Sequence, residues 1–108
     1  MLTRDSFKPY ALLKRERVEI PELNDFVYVR ELSAGEALEF RQRISDGQKF
    51  ESLVLPMLAQ VIVDEKGQQV FNPSDTELIG KSFPVHVMEA IAVKAQELSG
   101  LLGKPEKN

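Results

Sequence analysis

The side chains able to do chemistry are few, and their spacing argues against it. His86 is the single histidine of the chain, so any nucleophilic triad would have to use it as its base. It stands between Val85 and Val87 in a helical pattern, which reads as a structural or surface histidine. The acidic pairs Glu19 with Glu22 and Glu36 with Glu39 read as exposed strand and helix charges, not as a general acid and base. Asp64, Glu65 and Asp75 raise the question of calcium. An EF-hand loop opened at Asp64 would need oxygen ligands at Lys66 and Gln68 and a glycine at Gln69, and a lysine repels the ion. The chain has no cysteine, which removes thiolate nucleophiles, disulfides and soft zinc ligands. Asn72, Pro73 and Ser74 resemble a glycosylation acceptor, but proline in the middle position excludes it. The six glycines are isolated at turns and helix ends, so no phosphate cradle forms. The expectation is a protein without catalytic residues, cofactor or metal.

The 108 residues, 43% hydrophobic and 29% charged, fit one globular domain. A net charge of −3 and a pI near 5.2 give no general attraction to a polyphosphate, so nucleic acid is not an expected partner. The most apolar stretch, Leu53 to Val63, contains Pro56 and Gln60 and falls short of the roughly 20 residues that cross a bilayer. The first residues, with Asp5 and no apolar core, do not read as a signal peptide. The expected location is the cytoplasm, with no membrane association.

Which elements would position a binding surface? Residues 1–16 mix Arg4, Lys8, Lys14 and Arg15 with Phe7, Tyr10, Leu12 and Leu13, and read as a partly ordered N-terminal segment. Val18 and Ile20 alternate with charges, Phe26 to Arg30 is aromatic and β-branched, and Pro21, Asn24 and Asp25 supply the turn between them. The pattern predicts an antiparallel hairpin. Ser33 and Glu36 form a capping box that opens a helix ending at Asp46 and Gly47, with Ala37, Leu38, Phe40, Arg41 and Ile44 along its stripe. A second helical pattern runs from Phe50 through Ile62; Pro56 requires either a start near Leu53 or a kink. Asp64 to Gly67 is a turn, and Gln68 to Phe71 a short extended piece that pairs locally. Ser74 and Glu77 read as a second capping box, opening a brief helix stopped by Gly80. The last helix starts near Ser82, carries Val85, Met88, Ile91, Ala92, Ala95 and Leu98 on one face, and stops at Ser99 and Gly100.

The fold class that follows is α+β: an N-terminal β-hairpin followed by a mainly α-helical bundle of three to four helices. Residues 17–102 form the single globular domain, and 103–108 a flexible C-terminal tail. A two-stranded hairpin is marginal alone, so its free edge is a docking candidate, with Phe26, Tyr28 and Arg30 as partner contacts. On the last helix, Val87 and Met88 are added, methionine being adaptable to irregular partners.

In order along the chain, VEIPEL from Val18, VYVRELSAGE from Val27, VDEKGQQVF from Val63 and ELSG from Glu97 resemble the tail assembly chaperones of lambda-like siphophages and prophages. The resemblance spans about residues 17–102 and rests on the ordered combination of these runs. It implies a small, mostly helical protein with a β element near its N-terminus. It further implies binding and masking of the tape measure protein, recruitment of tail tube subunits, self-association into a homo-oligomer, and absence from the mature virion. Such families also make a frameshifted longer form. Glu106, Lys107 and Asn108 could be encoded GAA AAA AAC, which contains the slippery sequence A AAA AAC. Two other classes compete: a head-tail connector or tail completion protein of the particle, and a small antitoxin-like regulatory protein.

Overall fold

The computed structural model describes residues 1–100; the expected tail at 103–108 lies outside the described residues. Strand β1 (Arg15–Ile20) pairs antiparallel with β2 (Asp25–Arg30), in register Val18 with Val27 and Arg15 with Arg30. The turn is a 3-10 segment, Pro21–Leu23, closed by Asn24 at φ 53°. Asparagine tolerates this left-handed conformation better than most residues. β1 begins at Arg15, two residues before the expected start, because the Lys14 carbonyl accepts from the Glu31 amide and lengthens the ladder.

The hairpin is not the whole sheet. A third strand, β3 (Ile62–Val63), pairs antiparallel with β2, so the sheet order is β1-β2-β3. The spacing of Ile62 continues the pattern of the preceding helix. Helix α2 (Phe50–Val61) instead ends one residue earlier and passes directly into β3. This places β2 at the centre of the sheet, and the expected free edge along Phe26 to Val29 is taken by β3 at Tyr28 and Val29. The piece after the turn adds a bridge between Val63 and Gln69.

Helix α1 (Ala34–Ser45) opens on the expected box: the Glu36 amide donates to Ser33 Oγ at 3.2 Å, and Glu36 Oε1 accepts from the Ser33 amide at 2.9 Å. α2 runs through Pro56 from a start at Phe50. The missing proline amide leaves one helical hydrogen bond unmade on an exposed face. The second capping box belongs to Asn72 and Asp75, not Ser74 and Glu77, because the chain turns helical at Pro73, which makes Asn72 the cap. Helix α3 (Thr76–Ser82) then continues past Gly80. A Cβ at Gly80 would meet the terminal methyl of Leu55 at 3.2 Å, and the glycine stands inside the helix and is not a stop. Helix α4 (Val85–Ser99) is capped by Gly100 at φ 71°.

α4 lies against β1, β2 and α2, and α3 against α2. The core joins Val29 of the sheet, Leu58, Val61 and Ile62 from the α2–β3 passage, Ile79 of α3, and Ile91 and Ala95 of α4, all fully buried. Burial of each valine, leucine or isoleucine side chain among them contributes about 1.5–3 kcal/mol. Among the described residues no helix is long and apolar enough to cross a membrane.

Candidate functional site

Alternation along β2 turns Val27 and Val29 toward α4 and places Phe26 and Tyr28 on the outer face of the sheet. Their rings meet edge to face at 5.6 Å, and the Arg17 guanidinium stacks 3.8 Å over Phe26 while binding Glu19 at 2.7 Å. The two aromatics are half-buried, and with Val63, Asp64, Lys66, Gln68 and Val70 they line a shallow hollow. Its wall is a tight turn. Asp64 accepts from the amides of Lys66 at 2.8 Å and Gln68 at 3.0 Å, and Arg15 Nη2 donates to the Glu65 carbonyl at 2.6 Å. The Gln68 amide, against a smaller effect of burial and helped by the Lys66 amide and the charges of Lys66 and Arg15, holds the Asp64 carboxyl below its ordinary value. Asp64 is a turn-closing group. Among the described residues no three His, Cys, Asp or Glu side chains are grouped to hold a metal ion.

Arg30 and Val87 require correction as partner contacts. Arg30 shares the parity of Phe26 and Tyr28 but is only 3% exposed. Its guanidinium forks onto Glu36, with Nη1 to Oε1 at 2.8 Å and Nη2 to Oε2 at 3.0 Å, and also donates to the Glu31 carbonyl. Tyr10 covers it, with the ring centre 4.9 Å away. Burial, the largest single influence on Glu36, pushes its carboxyl up; the Arg30 and Ser33 hydrogen bonds and the Arg30 charge outweigh it, and the net direction is down. Val87 is buried in the core, where it replaces the expected Val85, which is 65% exposed. Met88 packs half-buried against that core. Thus Phe26 and Tyr28 are brought together at the surface, and the other three candidates are not.

His86 is an exposed surface tether, hydrogen-bonded to Glu22 of the hairpin turn. The backbone amide and then His86 hold the Glu22 carboxyl below its ordinary value. Lys94, also on α4, reaches Glu16 of β1 at 3.1 Å; that hydrogen bond, ahead of a smaller opposing effect of burial, keeps the ammonium pKa above its usual position.

A second surface was not anticipated. α1 buries none of its residues. It touches α2 through Phe40, edge-on to Phe50 at 6.3 Å, and leaves a groove of about 150 Å³ between the two helices. Leu32, Phe40, Leu53 and Met57 supply apolar lining, while Glu39, Arg43, Ser52 and Gln60 supply polar lining. Leu38, assigned to the core stripe, is 62% exposed. The signal was in the spacing: Leu38 and Phe40 stand about 160° apart around a helix, so one face cannot bury both.

No protein-family model matches the chain, and no curated protein matches it. Among solved structures, the tail assembly chaperone of bacteriophage HK97 is similar, with a TM-score of 0.61 and 19% sequence identity. The match covers 88% of this chain and 89% of that one. At this identity the likeness is one of fold.

Proposed function

We propose that this chain is a phage tail assembly chaperone that binds and masks the tape measure protein and helps recruit tail tube subunits during tail morphogenesis. The observation that carries the reading is the likeness in fold to the HK97 chaperone over nearly the full length of both chains. The surface supports it physically. A long, unassembled helical protein exposes apolar stripes that aggregate unless covered. This chain offers a half-buried aromatic pair, Phe26 and Tyr28, and an apolar groove beside α1 with which to cover them. Masking requires surface and self-association, not catalysis, and the reading includes no reaction, cofactor or metal. It places the protein in the cytoplasm of the bacterial host and outside the finished particle.

The test is co-expression with the tape measure protein encoded in the same tail gene cluster. The expected result is soluble tape measure protein that co-purifies with this chain. A tape measure protein equally insoluble with and without it would overturn the reading, and presence of this chain in purified particles would move it to the head-tail connector or completion class. The frameshifted longer form is part of the same proposal; a gene lacking a slip site before its stop codon would remove it.

A further inference from the structure

The turn that follows β3 is polarised. Asp64 and Glu65 line the hollow beside Phe26 and Tyr28. On the other side of the same turn a second cleft, of about 540 Å³, runs between Gly67 and residues 9–11, and Arg15, Arg30 and Lys66 line it with no carboxylate among the lining residues. Arg30 forms its floor, and the charge of Arg30 is met from behind by Glu36. The other two cations are not met in this way. Arg15 Nη2 donates to the Glu65 carbonyl, a neutral acceptor, and among the described residues neither Arg15 nor Lys66 is ion-paired. Asp64 lies close enough for the charges to act on one another. Its Oδ1, however, accepts from two amides of the turn, and it lines the hollow, not the cleft.

Tyr10 is the opposite wall. Its φ is 64°, a conformation in which Cβ crowds the next carbonyl oxygen, and a bulky residue stays there only when its surroundings hold it. Its ring lies over the Arg30 guanidinium, 4.9 Å from the ring centre, and the chain returns to the sheet at Lys14, whose amide donates to Glu31 Oε2 at 2.8 Å. The strained residue thus closes one side of a cationic cleft on a chain of net charge −3.

From this arrangement we infer that the cleft between Tyr10 and the Lys66 turn receives an acidic segment of a partner protein, with one carboxylate on Arg15 and Lys66 and the adjoining chain against Tyr10 and Pro9. The guanidinium fork of Arg15 suits a carboxylate, and exposed Gln68 adds a neutral amide on the same wall. The volume is that of a ligand site and exceeds what one small ion fills. A polyphosphate chain would meet the same two cations but is repelled by the net charge of the whole protein. The inference goes beyond the chaperone reading and stands on this chain alone, so a failed co-expression test leaves it in place.

The test measures fluorescence anisotropy of a labelled peptide of glutamate and serine, about eight residues long, against the full chain, with the glutamine-serine peptide as control. The expected result is saturable binding of the glutamate peptide only, weakened by added salt. Lys66→Glu, a change at an exposed turn position, weakens it about tenfold or more, the scale of one lost charge-assisted hydrogen bond. Tyr10→Gly, in which glycine keeps the left-handed backbone without the wall, weakens it as well. Circular dichroism checks that both variants are folded. No binding up to about 1 mM peptide, equal binding of the two peptides, unchanged binding in either variant, or tighter binding of a single-stranded oligonucleotide than of the glutamate peptide would each overturn the inference.

Discussion

The guanidinium of Arg30 and the carboxylate of Glu36 face each other as a two-pronged fork, 2.8 and 3.0 Å apart, joining the end of β2 to the first turn of α1. Glu36 Oε1 is at the same time the capping acceptor for the Ser33 amide. One carboxylate thus both starts α1 and docks it. α1 buries no residue fully; this fork, the Phe40–Phe50 contact and half-buried Ala37 and Phe40 against the core hold the helix in place.

Removing one partner leaves a charge without its counter-ion in a site where Arg30 is 3% exposed. Arg30→Met is expected to cost less than Glu36→Gln, because the Glu36 carboxylate it leaves behind keeps 14% exposure and can take water, while the guanidinium left by Glu36→Gln, with 4% exposure, cannot. For Glu36→Gln the loss is about 3 kcal/mol, the low end for a broken buried pair, since the Glu36 side chain keeps 14% exposure. Urea unfolding of the two single variants and the double variant measures both values and their coupling.

Acid should loosen α1. The folded-state pKa of Glu36 lies below its unfolded value, so its stabilising contribution is complete above about 4.3, the ordinary glutamate value, and is lost as pH falls through the lowered one. Glu22 and Asp64 titrate in the same sense. Stability measured from pH 6 downward is expected to fall in the wild type and to fall less steeply in Glu36→Gln. Equal slopes would mean that Glu36 is not shifted.

Two glycines should respond oppositely to alanine. Gly67 sits at φ 84°, with Arg15 Nη1 3.3 Å from where a Cβ would stand; Gly67→Ala is expected to destabilise by about 1 kcal/mol, the cost of a left-handed alanine. Gly80 is inside α3, and the only neighbour of its would-be Cβ is the terminal methyl of Leu55 at 3.2 Å. That side chain is partly exposed and can shift a few tenths of an ångström. Gly80→Ala is therefore expected to raise the thermal midpoint, the helix gaining up to about 1 kcal/mol.

Ser99 ties the end of α4 to the link between β2 and α1. Its hydroxyl donates to the Ala95 carbonyl at 2.6 Å and accepts from the Leu32 amide at 2.7 Å. Ser99→Ala leaves the amide of buried Leu32 without a partner, at a cost of about 1–2 kcal/mol. Hydrogen exchange should show it first at Leu32, with faster exchange there while the amides of β2 keep their protection.

The local grammar of the chain was legible from residue types alone. Alternation at Val18 and Ile20, the turn chemistry of Pro21 and Asn24, the Ser33–Glu36 box and the glycine at 100 each act within four residues, so the hairpin, the start of α1 and the end of α4 followed without a tertiary structure. So did the absence of thiol chemistry, which needs only a count. What the sequence left open depended on residues far apart along the chain. β3 exists because Ile62 and Val63 meet β2 more than thirty residues away, and that pairing, not helix propensity, ends α2. Gly80 reads as a stop, but α3 runs through it to Ser82, packed along α2. Arg30 reads as a surface cation until Glu36 and Tyr10 close over it, and Val87, not Val85, is the valine of α4's first turn that enters the core. Hydrophobic periodicity specifies that a helix has an apolar side; the neighbours that cover it, or leave it open as along α1, are chosen by the packing of the whole chain.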